Sequence, residues 1–311
     1  MMKHSILLLI CLATSPGLYA ATCSCSSVPL LGSMSSASPT GNSWFLSSRL
    51  EVHDISDLYS GSDEVNDETG RDRDSQSLLL EVSYGINEKW SITGLLSAVE
   101  QNRQVGLNPE TTRRGLGDGL FLVKYAPKKI DLYNRYGVSF GIGAKVPLGD
   151  DDQVDFVTLP EDMQPSTGAY SGVFWTQVSR SFDRSAKSLI YSAVSYSANG
   201  DNDRQYRFGN EFTWSIGGSY QTSQRWGVSG DLSFRETDRD KRNNSTIPNT
   251  GGKWLYFNPS VQYHFTDSFA ASVSARIPVW RDVNDALQFT TSYAYSISLS
   301  YVLSKTDNKN L

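Results

Sequence analysis

Once its first 20 residues are set aside, the 311-residue sequence contains no long apolar run. A membrane-crossing helix needs about 18–20 such residues, so a polytopic helical membrane protein is excluded. Cysteine is scarce, with three residues, which excludes a disulfide-dense scaffold. Three histidines leave little material for metal or acid–base chemistry, and no cofactor is expected. Positive charge is not in excess: the formal net charge is −5 and the pI about 5.3. A basic footprint for nucleic acid is therefore missing. Aromatic residues, in contrast, make up 12% of the chain, too many for a disordered one. These exclusions leave a large β-rich or globular exported protein.

The first 20 residues have the layout of an export signal. Lys3 and His4 precede an apolar run over 6–13, Pro16 and Gly17 break it, and Leu18-Tyr19-Ala20 offers a small residue for cleavage. The run is too short to anchor a membrane helix, so 1–20 is expected to be a cleaved signal peptide. Its removal takes Lys3 and no acid, shifting the formal charge from −5 to −6. Cys11 leaves with it. Cys23 and Cys25 remain in a segment, 21–43, expected to be a flexible periplasmic terminus. Two thiolates could face one soft ion, but two ligands do not complete a metal site, and the residues before Cys23 lack a lipobox.

From Trp44 to Leu303 the dominant signal has period two. Tyr136, Val138, Phe140, Ile142, Ala144 and Val146 alternate with Arg135, Gly137, Ser139, Gly141, Gly143 and Lys145. Tyr293, Tyr295, Ile297, Leu299, Tyr301 and Leu303 alternate with mostly serine, and Phe269 to Val279 repeats the scheme. Such alternation marks strands with two different faces. Twelve segments show it. Several run ten to twelve residues, the length of a tilted strand crossing a bilayer rather than the five or six usual in a soluble sandwich. The second face is Ser, Gly and Thr with isolated charges, as a water-filled lumen requires. Segments 170–182 and 187–197 are ambiguous, because apolar residues fall on both faces.

Connections alternate in length. Short turns fall at 87–89, 127–133, 183–186, 222–225 and 266–267; long polar loops fall near 55–75, 101–114, 148–167, 198–207, 236–253 and 280–287. Five short turns and six long loops put both termini on the short-turn side. The expected fold is all-β: an up-and-down antiparallel transmembrane barrel over 44–303, with about twelve strands, periplasmic termini and a polar tail over 304–311. Aromatics beside the short turns, such as Tyr84 with Trp90 and Tyr220 with Trp226, fit a periplasmic interfacial girdle. The location that follows is the outer membrane of a Gram-negative cell. The expected partners are outer-membrane lipid and lipopolysaccharide, the barrel-assembly machinery and a small-molecule solute. Outer-membrane barrels resemble one another in an aromatic-ended terminal strand read during assembly; here the candidate, Ser298-Leu299-Ser300-Tyr301-Val302-Leu303, is followed by the tail.

One stretch carries a family resemblance. Gly115-Leu116-Gly117-Asp118-Gly119-Leu120-Phe121-Leu122-Val123-Lys124-Tyr125 opens the fourth strand. It resembles the Gly-Leu-Gly-Asp, apolar run, Lys-Tyr signature of an outer-membrane family named for the meta pathway of phenol degradation. That resemblance implies a transporter or channel for small, often hydrophobic compounds. From the residues alone, Gly115 and Gly117 permit a tight turn or bulge at the rim, and Asp118 can cap it. A phosphate-loop reading lacks the Gly-Lys-Ser/Thr and the following helix it needs.

Charges on the lumen face are the candidate selectivity residues: Glu81, Lys124, Arg135, Lys145, Glu211, Asp231, Arg235, His264 and Arg276. A charge within the span must face water or a partner, since facing lipid costs about 2–4 kcal/mol near the midplane. They form either a polar constriction that selects solutes or an ion-pair network filling a narrow barrel; the two can coexist. The loops add eight acids within the 21 positions from Asp54 to Asp74, and six more between Asp150 and Asp162. Such density could hold divalent ions, but no EF-hand spacing is present and solvated loops are the simpler reading.

No enzyme is expected. An outer-membrane phospholipase would need a His–Ser pair near the membrane boundary, and Ser197-Ala198-Asn199-Gly200 has no adjoining His. The reading is a channel or transporter passing small molecules, hydrophobic or aromatic ones among them. The alternative is a closed barrel acting as a surface-binding or structural protein through its acidic loops.

Overall fold

The computed structural model describes Pro39 and residues 41–304 apart from 131–132, 155–159 and 184. The expected signal peptide, Cys23, Cys25 and the tail after Ser304 lie outside the described residues. Within them, twelve long strands form the wall: β1 (Ser43–Asp54), β2 (Arg71–Gly85), β3 (Trp90–Val105), β4 in two pieces (Thr111–Leu116 and Asp118–Lys128), β5 (Tyr136–Pro147), β6 (Ser171–Ser181), β7 (Ser188–Asn199), β8 (Glu211–Gln221), β9 (Trp226–Thr237), β10 (Gly252–His264), β11 (Phe269–Val283) and β12 (Tyr293–Ser304). Each pairs antiparallel with its neighbours in sequence, and β12 pairs with β1 from Ser304 opposite Ser43 to Tyr293 opposite Asp54. That last ladder closes the barrel, so no long edge is left for another chain.

Period two becomes two environments. Along β2, Leu78, Leu80 and Val82 are 42–46% exposed, whereas Leu79, Glu81 and Ser83 are at most 4% exposed. The outward row is the lipid face, and an apolar residue there costs nothing in hydrocarbon. The aromatics beside the short turns form a ring-contact chain: Trp44 on Tyr84 and Trp90 on Tyr125 at 4.5 and 4.6 Å, and Trp226–Tyr263–Phe265–Phe269 with steps of 4.8, 5.0 and 5.1 Å. This is the interfacial girdle expected at the periplasmic rim.

Several boundaries differ from the sequence expectation. Arg71–Asp74 and Gln101–Val105, read as loop, extend β2 and β3, pairing Arg71 with Val105 and Asp74 with Asn102. Their side chains are polar on both faces because this end of the hairpin stands beyond the bilayer, where hydropathy no longer reports a strand. The long loops also contain order of their own: Asp57–Ser60, Asp63–Val65 and Gln288–Thr290 form one small sheet over the barrel mouth.

Candidate functional site: a divided lumen

The interior has two unlike halves. Along β2, β3, β4 and β6, inward-facing Leu79, Leu95, Val99, Leu120, Leu122 and Val173 pack into one buried apolar cluster. Lys124 is buried beside it, its Nζ 5.3 Å from the Trp175 ring, and Glu81 is the carboxylate whose charge acts on it. This half is filled.

Of the loop after β5, the described residues 161–169 fold inward over the filled half. The short 3-10 turn Glu161–Met163 and the following Gln164, Pro165, Ser166 and Thr167 are buried. Asp118, fully buried, is their anchor: its carboxylate accepts from the Ser166 hydroxyl (2.6 Å), the Thr167 amide (3.0 Å) and the Thr167 hydroxyl (2.7 Å). Lys145 approaches the same carboxylate at 3.5 Å. Gly117 is the break between the two pieces of β4, where a Cβ would lie 2.3 Å from the Ser97 hydroxyl and 3.3 Å from the Pro165 carbonyl. The Gly-Leu-Gly-Asp stretch therefore forms the expected bulge, the register against β3 slipping by one residue between Leu116 and Leu120, and its Asp118 seats the inward loop instead of capping a turn. Further ties come from Arg73, which donates to Asp162 (2.9 Å) and Gln101 (2.6 Å), and from Gln101 to the Gln164 carbonyl (3.1 Å).

Glu161 joins this loop to two others, pairing with Arg204 and with Arg242 (3.0 Å). Burial raises its carboxyl above the ordinary range, against the lowering pull of the two arginines. A carboxyl with a raised value in the docked loop binds a proton more readily there than in the released loop. The protonated carboxyl therefore favours docking below its released value, and that contribution is lost as pH rises through the raised value. Limited proteolysis within 148–170 is expected to slow in mild acid, and Glu161→Gln to abolish that pH dependence; an unchanged pH profile in the variant would contradict the assignment.

The other half is open. A cavity of about 580 Å³ runs from Phe45 and Ser300 near the periplasmic end to Ile55 and Thr291 under the extracellular loops. Thirteen of the 36 residues lining it are serines, so its wall offers hydroxyls at nearly every rung. Register arranges these into rows across the strands. One runs Ser219, Ser229, Ser260, Ser274, Ser296 to Glu51.

The next row toward the extracellular side is charged. Tyr191 is opposite Gly217, Gly217 opposite Asp231 and Asp231 opposite Asn258. On β10, Phe257 faces Ile277 and Ser260 faces Ser274, which sets Asn258 against Arg276. Arg276 is then opposite Ala294, and Ala294 opposite His53. Within the row, Asp231 accepts from the Tyr191 hydroxyl (3.1 Å) and the Asn258 amide (2.6 Å). Gly217 leaves room for that arrangement, since a Cβ there would fall 2.5 Å from the Asp231 Cβ.

The sequence candidates thus separate. Glu211, Asp231, Arg235 and Arg276 line the open cavity, Glu211 and Arg235 as an ion pair at 2.7 Å. Glu81 and Lys124 sit in the filled half, and Lys145 serves the loop anchor. Arg135 is not a lumen residue: it precedes the first rung of β5, is exposed at the periplasmic rim and donates to the Phe182 carbonyl at 3.4 Å. A terminal residue keeps the inward phase of its strand but has no lumen left to face. His264 ends β10 at the same rim. Arg49, Glu51 and His53 were missed, although they alternate with Leu50 and Val52 on β1; Arg49 and His53 each approach Glu51 at 3.4 Å. Among the described residues no group of three or more His, Cys, Asp or Glu converges on one point.

A closed twelve-stranded barrel with an apolar belt, an aromatic girdle and a polar passage defines an outer-membrane β-barrel protein. Residues 68–297 match the model of the family described as "Putative MetA-pathway of phenol degradation", and the chain belongs to that family. Its fold is similar to that of an outer membrane channel from Pseudomonas putida F1, with a TM-score of 0.69 at 10% identity over 86% of this chain and 97% of that one. The NanC porin matches with a TM-score of 0.47 at 13% identity, over 82% of this chain and 98% of the porin. No curated protein matches the sequence.

Proposed function

We propose that this protein is a channel through which small molecules cross the outer membrane by diffusion, using only the open half of its lumen. The observation that carries the reading is the serine-lined cavity extending from the periplasmic end to beneath the extracellular loops. A solute that exchanges water hydrogen bonds for hydroxyl and amide contacts crosses such a passage without a large desolvation cost. Compounds combining an aromatic ring with polar groups also find the faces of Trp175, Tyr191 and Tyr256 there. The filled half and the docked loop narrow the passage and supply no chemistry for turnover. Export by a cleaved signal over 1–20, insertion by the barrel-assembly machinery, and contact of the outward face with outer-membrane lipid and lipopolysaccharide belong to the same proposal. The family's name for phenol degradation and the Pseudomonas channel support it at the level of class.

Single-channel recording in planar bilayers tests it. Discrete current steps are expected from the purified, heat-modifiable protein, and Ser260→Trp, which projects a bulky ring into the open half, is expected to remove most of each step. A folded but silent barrel would instead favour a closed protein acting through its loops.

A further inference from the structure

The charged row across the open half is not electrically uniform. On β1 and β11 stand Arg49 and Arg276 with a single carboxylate, Glu51, which Arg49 and His53 each approach at 3.4 Å; this side carries a net positive charge. Arg276 makes no ion pair within 4 Å among the described residues, and its guanidinium stands 5.8 Å from the Tyr256 ring. On β9, Asp231 is held among the described residues by neutral donors, the Tyr191 hydroxyl and the Asn258 amide, so this side carries a net negative charge. The remaining charges of the cavity, Glu211 and Arg235, neutralise one another. Asp231 and Arg276 occupy one row with Asn258 between them. Their backbones are two strand spacings apart, roughly 10 Å, and both side chains enter the same cavity.

Two opposite charges at that separation would ordinarily collapse into an ion pair if they were meant to fill space, as Glu211 and Arg235 do. Here both line the cavity, Asp231 held by Tyr191 and Asn258 and Arg276 beside the Tyr256 ring, without pairing with one another. Resting on the channel reading above, we infer that this row is a recognition site for small zwitterions, with the solute's ammonium at Asp231 and its carboxylate at Arg276. A zwitterion aligned along the row satisfies both charges at once. A monovalent anion or cation satisfies one and meets the other as repulsion, and an uncharged solute gains only hydrogen bonds. The serine row on the periplasmic side accepts the solute once it has moved past, which keeps binding weak enough for release.

The test is osmotic swelling of proteoliposomes holding the full chain, with ε-aminocaproate as the zwitterion and caproate, hexylamine and caproamide as comparators, alongside single-channel current in potassium chloride. The zwitterion is expected to enter several-fold faster than the amide of the same size. Asp231→Asn and Arg276→Gln are each expected to erase that advantage, bringing zwitterion entry down to the rate of the amide measured in the same variant. They should also shift the reversal potential in opposite directions, toward anions for Asp231→Asn and toward cations for Arg276→Gln. Equal entry of zwitterion and amide, with current steps present, would overturn the inference and leave the channel standing. Absence of both swelling and current would overturn the two together.

Discussion

Asp118→Ala is expected to release the inward loop and give the largest single gain in conductance of any substitution in the chain. Its carboxylate is fully buried and takes three hydrogen bonds from Ser166 and Thr167, with Lys145 at 3.5 Å. Removing it strands a half-buried ammonium and three donors; breaking such a buried pair from one side costs about 3–5 kcal/mol. The loop has further ties at Arg73, Gln101 and Glu161, so the barrel itself is expected to persist. Residues 148–170 should become protease-sensitive, the single-channel step should grow, and the heat-modifiable form should be lost at a lower temperature. Asp118→Asn, which keeps the shape and part of the hydrogen bonding, should fall between. A loop that stays protected in the alanine variant would show that the family's Gly-Leu-Gly-Asp stretch has some other purpose.

Lys124→Met is expected to destabilise the barrel strongly without altering what it conducts. The ammonium is buried at the border of the apolar cluster, over Trp175, with Glu81 as its nearby opposite charge. Methionine fills the volume but leaves Glu81 buried without that partner, again a cost of about 3–5 kcal/mol. The double variant with Glu81→Gln should recover much of the loss, because removing both charges together leaves neither stranded. Ion selectivity should not move in either variant. A shift in reversal potential on Lys124→Met would mean that this half also carries ions, and the division of the lumen would fall.

The wall was legible in the sequence because a barrel writes its two environments as alternation and its two rims as short and long connections. Segment 170–182 carries apolar residues on both faces for a reason visible in the structure, whereas in 187–197 the inward Leu189, Tyr191 and Ala193 line the open cavity. Val173 of β6 faces inward onto Leu79, Leu95 and Leu120, so it is apolar although it faces the lumen. The same cause explains the unbroken runs Leu78-Leu79-Leu80 and Leu120-Phe121-Leu122-Val123. Such runs recurring on adjacent strands, as on β2, β3 and β4, mark the filled part of the interior. The sequence leaves Lys124 and Glu81 open between a passage and a packed network, because a charge on the lumen face looks alike whether water or a partner answers it. The loop anchor could not be read: Asp118 meets Thr167 across 49 positions, and nothing in local pattern links a carboxylate to hydroxyls that far away. The charged row likewise depends on register between strands, which alternation alone does not set.

Water and solute are expected to pass on one side of the barrel only. Cysteine accessibility tests it most directly, in a background with Cys23 and Cys25 replaced by serine. Single-channel current is recorded while a charged methanethiosulfonate reagent is added to Ser260→Cys, on the open side, and to Leu120→Cys, in the filled one. The account predicts a lasting drop in current with Ser260→Cys and none with Leu120→Cys. Modification of Leu120→Cys at a comparable rate, or a Ser260→Cys channel indifferent to the reagent, would contradict it.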